Sequence, residues 1–552
     1  MLMSASKAKS RGLVAVFALA GVLACGGAAS AADMDAMVTK APISAPISYA
    51  PTACGSVYDF FLSACPLSWY GVTFYGIVDL GGTYQTHGTP FDKNFPTGAS
   101  YLVGAGGAGA TNRTPGFGLG PNAMSQSLVG VNIKEPIAPG GWSFVARGEL
   151  AFDPYSGLLG NAPQALQDAK GTAQNTEALP YDSSRWGWLA GTIMAGVSNP
   201  VWGTLTFGRQ NTLENDGLSA YDSMGAAYAF SPLGYSGKTG GSGDTEDARW
   251  TTAIKYRVNI GDFRIGIMGQ PITGANGGYN SYNPNNGAIS GDIGGDIRNL
   301  GPGTLSLDFL GVYERDAVNI SAMYPGQVLN ATGTPITFPA DAALKATLSN
   351  NTAFSAMAKY SFGSWGSEQP IVGKAPPPPP VFPLTLYAGY EWIQFSNPSD
   401  PQSSFQDDGF LFTDPSGGTL HGAAASTIGT SINNNAFNAL CGTGGGCKDE
   451  IFQVVWTGAK YGITRDLDII GAYYVYFQNQ YTNNVGNVCA SAGAHSQCAG
   501  TMNMVSAVLD WRFLPKWDAY IGLMYSIAEG GISNGDIQNN NLATTAGVRF
   551  RF

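Results

Sequence analysis

From about residue 69 to its last residue, the sequence repeats one pattern. Stretches of ten to fourteen residues alternate apolar and polar side chains and are rich in aromatic and β-branched types. Sixteen such stretches can be marked, from WYGVTFYGIVDLGGTY to LATTAGVRFRF. The gaps between them alternate in length: about 40 residues after the first, a few around Pro136 to Gly140 after the second, about 30 after the third, a few around Asn199 to Gly203 after the fourth. The rhythm runs on to Arg465–Asp466 and Pro515–Trp517, and only one short gap is stretched, by SWGSEQPIVGKAPPPPPVFP.

This parity is the tightest constraint on the fold. The two ends of a soluble sandwich are equivalent, so nothing would sort its loops by length. Across a bilayer the ends differ, and about ten tilted residues per strand match the apolar slab. Backbone polar groups in lipid must be satisfied internally, which a closed sheet achieves and an open one does not. The prediction is an all-β fold, a 16-stranded antiparallel transmembrane β-barrel with short periplasmic turns and long extracellular loops. Composition agrees: charged residues are 12%, against about 25% in ordinary globular domains. No apolar run after residue 31 is long enough for a membrane helix.

The first 31 residues carry Lys7, Lys9 and Arg11, an apolar run and the small-x-small site Ala29–Ala31, the layout of a secretory signal peptide. Lipoprotein processing at Cys25 is the alternative. Cleavage after Ala31 removes three bases and no acid, taking the formal net charge from −10 to −13, which argues against nucleic acid as a partner. The expected division is 1–31 signal peptide, 32–68 periplasmic N-terminal extension, and 69–552 barrel. Six cysteines remain in three local couples: Cys54 with Cys65, Cys441 with Cys447, and Cys489 with Cys498. Their spacings fit no zinc pattern, and export favours disulfides. Pro376 to Pro380 reads as a stiff spacer on the periplasmic side.

If one parity of each strand faces lipid, the other faces the lumen, and the charges fall there. In WSFVARGELAFD the apolar set Trp142, Phe144, Ala146, Leu150 and Phe152 leaves Arg147 and Glu149 inward. In RWTTAIKYRV, Trp250, Thr252, Ile254 and Tyr256 are expected to face outward, and Arg249, Lys255 and Arg257 inward. Arg264, Lys359, Glu391, Asp510, Arg549 and Arg551 fall inward by the same test, while Phe550 and Phe552 are expected to face lipid. A charged lumen in so wide a barrel is a water-filled channel. The third long gap adds Asp216, Asp222, Asp244, Glu246 and Asp247.

Three stretches resemble a known family. FYGIVDLG resembles the opening strand, MAGVSNPVWGTLTFGRQ the glycine-containing hairpin, and the terminal AGVRFRF the last strand of the general porins of Gram-negative outer membranes. The resemblance implies a third loop folded into the lumen, with Arg209 and Arg249 as wall arginines facing it and Glu149 as an inward glutamate. It further implies a homotrimer and a terminal Phe552 read by the outer-membrane assembly machinery. Arg209 shares parity with Leu205 and Phe207, and an irregularity at Gly208 would turn it inward.

The function expected is passive diffusion of small hydrophilic solutes and ions through a charged constriction, in contact with outer-membrane lipid and lipopolysaccharide, without cofactor or metal. A transverse field between facing acids and bases would orient polar solutes. A substrate-selective channel is the alternative, with Tyr75, Tyr387 and Tyr474 as the candidates for a stacking track. An adhesin or receptor is a third reading, suggested by the roughly 53-residue gap after Asn397. Enzyme chemistry is not expected: His87, His421 and His495 all fall in long gaps, and none sits in a nucleophile motif. GAGGAGA at Gly104 to Ala110 reads as a flexible loop.

Overall fold

The computed structural model describes residues 54–87, 115–155, 157, 191–234, 249–271, 287–323, 344–363, 383–396, 411–413, 419–421, 450–480, 499–530 and 539–552. The signal peptide, the Pro376 to Pro380 run, Asp244, Glu246, Asp247, His495 and the four cysteines Cys441, Cys447, Cys489 and Cys498 lie outside these residues.

Sixteen strands form the wall. In chain order they are β1 (Val72–Gln85), β2 (Leu128–Ala138), β3 (Trp142–Ala151), β4 (Ile193–Asn199), β5 (Gly203–Asn211), β6 (Arg249–Ile260), β7 (Phe263–Gln270) and β8 (Gly287–Leu300). Then follow β9 (Gly303–Met323), β10 (Leu344–Ser361), β11 (Leu384–Ser396), β12 (Glu450–Gly462), β13 (Leu467–Gln478), β14 (Gly500–Leu514), β15 (Trp517–Gly530) and β16 (Asn540–Arg551). Each pairs antiparallel with the next, and β16 returns to β1 with Ile77 opposite Arg551 and Gln85 opposite Ala543. The chain's last strand therefore pairs with its first, and the wall has no open edge. Two short strands join the same sheet: 67–69 pairs with the start of β1, and 116–119 extends β1 beyond the reach of β2. No helix among the described residues is long and apolar enough to cross a membrane.

The wall is apolar on its outside. On β8, Ile289, Ile293 and Ile297 are bare to the outside, while Asp292 and Asp296 point in. The same inversion places Phe207, Ile254, Phe309, Phe354 and Ile521 outside, as a lipid-facing barrel requires.

Two local departures from strict alternation matter. Between Gly208 and Gln210 the β5–β6 register shifts; Gly208 has φ +122° and Thr252 has φ +52°. Trp250, expected outside, is consequently turned into the barrel, where its indole N–H donates to Glu314 Oε1 at 2.5 Å. A Cβ on Gly208 would collide with the Ile193 carbonyl, so the irregularity needs glycine there.

The second departure is at the seam. Helix α1 (Val57–Leu62) sits on the outer face of β15 and β16 and covers Phe550, which was expected to meet lipid directly. Phe60 packs edge-on against Phe550 at 5.6 Å and Phe552 at 5.1 Å between ring centres. Cys54 and Cys65 are joined by a disulfide around this helix. At least residues 54–68 of the N-terminal extension thus lie against the wall.

Candidate functional site

The gap after β5 folds into the lumen. Thr212 caps helix α2 (Leu213–Tyr221) by accepting the Asn215 N–H at 3.2 Å. The helix and the turns behind it cross to the far wall. There Trp456 donates to the Tyr221 carbonyl at 3.1 Å, Ser223 to the Gly471 carbonyl at 3.0 Å, and the Tyr474 hydroxyl to Asp222 Oδ1 at 2.7 Å. Phe230 packs edge-on to Tyr520 at 6.2 Å, and the Ala229 N–H donates to the Ala123 carbonyl at 2.9 Å. Gly458 makes this approach possible, because a Cβ there would collide with Ser223 Oγ.

Residues 121–127, the end of the first long gap, are also drawn inside. Asp79 accepts from the amides of Met124 and Ser125 at 2.7 and 2.8 Å and from the Tyr520 hydroxyl. The lumen is thereby narrowed to a cavity of about 660 Å3.

Eight bases line that cavity: Arg147, Arg249, Lys255, Arg257, Arg264, Lys359, Arg549 and Arg551. Five acids line it: Glu149, Asp216, Asp292, Asp296 and Asp308. The sequence-predicted residues are brought together, but in clusters that a simple contrast of acidic loop against basic wall does not describe. Asp216, on α2, binds Lys255 at 2.5 Å and Arg257 at 3.1 Å. The loop carboxylate is thus paired directly with the wall bases it faces.

Asp222 takes the amides of Met224 and Ala226 together with Tyr474, so it anchors the loop and does not line the cavity. Glu149 accepts from the Tyr75 hydroxyl at 2.6 Å and the Thr192 amide at 3.0 Å, with Arg147 3.9 Å away. Arg249 donates to Thr192 Oγ1 at 3.3 Å, and Arg209 is turned to a buried position where it donates to the Gly191 carbonyl at 3.2 Å.

Two sets of acids were missed in the sequence. Asp518 holds both Arg549, at 2.9 Å, and Arg551, at 2.7 Å. Asp292, Asp296 and Asp308, on β8 and β9, form an acidic arc half a turn around the ring from β16, with Arg264 on Asp296 at 2.8 Å. The signal for this arc was present in ISGDIGGDIR, where two aspartates four apart share a parity opposite to three isoleucines.

On α2 itself, Glu214 is 1% exposed and neither carboxylate oxygen makes a well-formed hydrogen bond. Burial pushes its pKa up to about 8 and nearby Asp292 adds to the rise, against the opposing pull of its own amide, Ser290 and Lys255.

Tyr75 and Tyr474 are buried, with their hydroxyls engaged by Glu149 and Asp222, so these two rings do not offer a stacking track. His87 Nδ1 lies 3.0 Å from Asn540 Oδ1. No cluster of His, Cys, Asp and Glu suited to a metal occurs among the described residues.

Residues 15–368 match the sequence model of the family described as Gram-negative porin. No curated protein matches the chain. Solved structures with a similar fold include an anion-selective porin from Comamonas acidovorans, 14% identical, TM-score 0.45, covering 87% of this chain and 99% of its own. OmpT, an outer membrane protein of Vibrio cholerae, is 12% identical with TM-score 0.45, covering 88% of this chain and 99% of its own. OmpF of Salmonella typhi is 12% identical with TM-score 0.44, covering 88% and 100%.

Proposed function

We propose, from the premise that this chain belongs to the Gram-negative porin family, that its waist favours small hydrophilic anions. The protein is an outer-membrane porin, a multi-pass β-barrel that lets small solutes diffuse passively, and a channel rather than an enzyme. Charge preference is the finer step, and the observation that carries it is the lining of the narrowed lumen, eight bases against five acids, with Asp518 and Asp510 behind Arg549 and Arg551 reducing the excess to a single base. Arg257 is the base that matters most, because its side chain is 36% exposed while Lys255 and Arg549 are nearly covered.

Charges lining a low-dielectric passage act on passing ions far more strongly than the same charges in bulk water. The acidic arc on β8 and β9 facing the bases of β16 and β3 supports a transverse field that orients dipolar solutes. The constriction set is Arg147, Glu149, Arg249, Lys255 and Arg257. Asp216 and Arg209 act as supports for it and Asp222 as the loop's anchor. By the family resemblance the assembly is a homotrimer, residues 1–31 are removed on export, and Phe552 is the assembly signal.

The test is the reversal potential of single channels in a planar bilayer under a potassium chloride gradient. Anion preference, reduced in Arg257→Ala, is the expected result; cation preference in the unaltered protein would defeat the reading.

A further inference from the structure

The segment ahead of β1 is fixed to the outside of the barrel and still leaves apolar surface bare. Five of the six residues of α1, VYDFFL, are apolar, and its one charge is Asp59. A helix apolar all round has no face to turn to water and belongs in a core or a membrane. The wall satisfies one side. Phe60 and Phe61 meet Phe550, Lys516 donates to the carbonyls of Phe60 and Cys65 at 2.9 and 2.8 Å, and the Trp517 indole donates to the Phe61 carbonyl at 3.0 Å.

The other side is open: Val57 is 74% exposed and Tyr58 72%. A few residues on, strand 67–69 turns into β1 through Tyr70 and Gly71, both at positive φ. At that tip Trp69 and Tyr70, 71% and 80% exposed, stand edge to face with ring centres 4.9 Å apart.

The wall face beneath α1 is the apolar outer face that exposes Ile521 and Val548, so the bare residues continue that apolar surface. They lie at the end of the barrel where the short turns gather, beside the start of β1 and the end of β16. Trp and Tyr, each with an apolar body and a polar tip, concentrate at the boundary between acyl chains and headgroups.

We propose that residues 54–71 are a stapled anchor in the periplasmic leaflet, their occupant being phospholipid at the lipid–water boundary. The disulfide closes the segment around the helix, Lys516 and Trp517 hold it on the wall, and Val57, Tyr58, Trp69 and Tyr70 enter the leaflet.

The test uses the whole mature protein folded into phosphatidylcholine vesicles that contain analogues brominated near the headgroup or deep in the chain. The emission of Trp69 is taken as the difference between the unaltered protein and Trp69→Phe, a change small enough to leave the fold. The expected result is loss of most of that emission with shallow bromines, less with deep ones, and resistance to aqueous iodide. Full quenching by iodide with no effect of bromine would overturn the proposal and put the segment in water. Protection from both quenchers that disappears when the assembly is dissociated within the vesicles would overturn it in favour of contact between copies.

Discussion

Asp216 carries two bases on one carboxylate, and that arithmetic sets how the waist responds to change. Lys255 and Asp216 are almost fully covered, so removing the acid leaves a buried ammonium without its partner. Breaking a buried pair costs about 3–5 kcal/mol. Asp216→Asn is therefore expected to loosen α2 from the wall and to strengthen anion preference, read as a noisier current and a larger reversal potential. An unchanged current would show that the pair does not position the loop.

Glu214 makes a prediction of the opposite kind. Its folded-state pKa is raised from 4.5 to about 8, so the contribution of the protonated form is complete below about 4.5 and is lost as pH rises through about 8. Loop fluctuations should rise across that window and stay flat in Glu214→Gln, as recorded by current noise against pH. Equal noise at pH 5 and 9 would contradict the assignment. The acids that matter most here, Asp216 and Glu214, sit on a short helix that alternation cannot orient, which is why the sequence named one and passed over the other.

At the scale of the element, the third loop is defined by where it lands. Its sequence, rich in small residues, announced a loop that could enter the lumen, but its anchors are far along the chain, on β12, β13 and β15. Nothing local to residues 212–234 encodes them. Gly458 is the exception that can be tested. Gly458→Val places bulk where Ser223 must come within reach of Gly471, and the loop should lift from the wall while the barrel remains. Larger single-channel conductance at unchanged thermal stability is the expected outcome; normal conductance would show that the remaining contacts hold the loop without this one.

In β3, clean alternation placed Arg147 and Glu149 inward, where they line the lumen, whereas the equally clean alternation of β8 was present but Asp292 and Asp296 were passed over. Trp250 was placed wrongly, because the β5–β6 irregularity reverses parity at a point that only the pairing partner reveals.

For the whole molecule, number of strands, closure and orientation were all written in loop lengths, because threading through one side of a bilayer leaves its mark there and nowhere else. The terminal residue was read as a lipid-facing end of the seam, and the structure adds a cover over its neighbour Phe550. Phe552 remains only partly covered, with its amide and carbonyl paired to Gly76 at 3.0 Å each. Deletion of Phe552 should lower the amount of folded protein in the outer membrane far more than the conductance of the molecules that do insert. Normal amounts would remove its role as an assembly signal.

The loop's anchors also impose an order of events. Ser223 and Asp222 lie 248 and 252 positions before Gly471 and Tyr474. Contacts so distant along the chain form late, since the intervening chain must first be ordered. The seam, where Ile77 meets Arg551 across a longer stretch of chain still, is under the same constraint, so the waist and the closed wall belong to one late stage of folding.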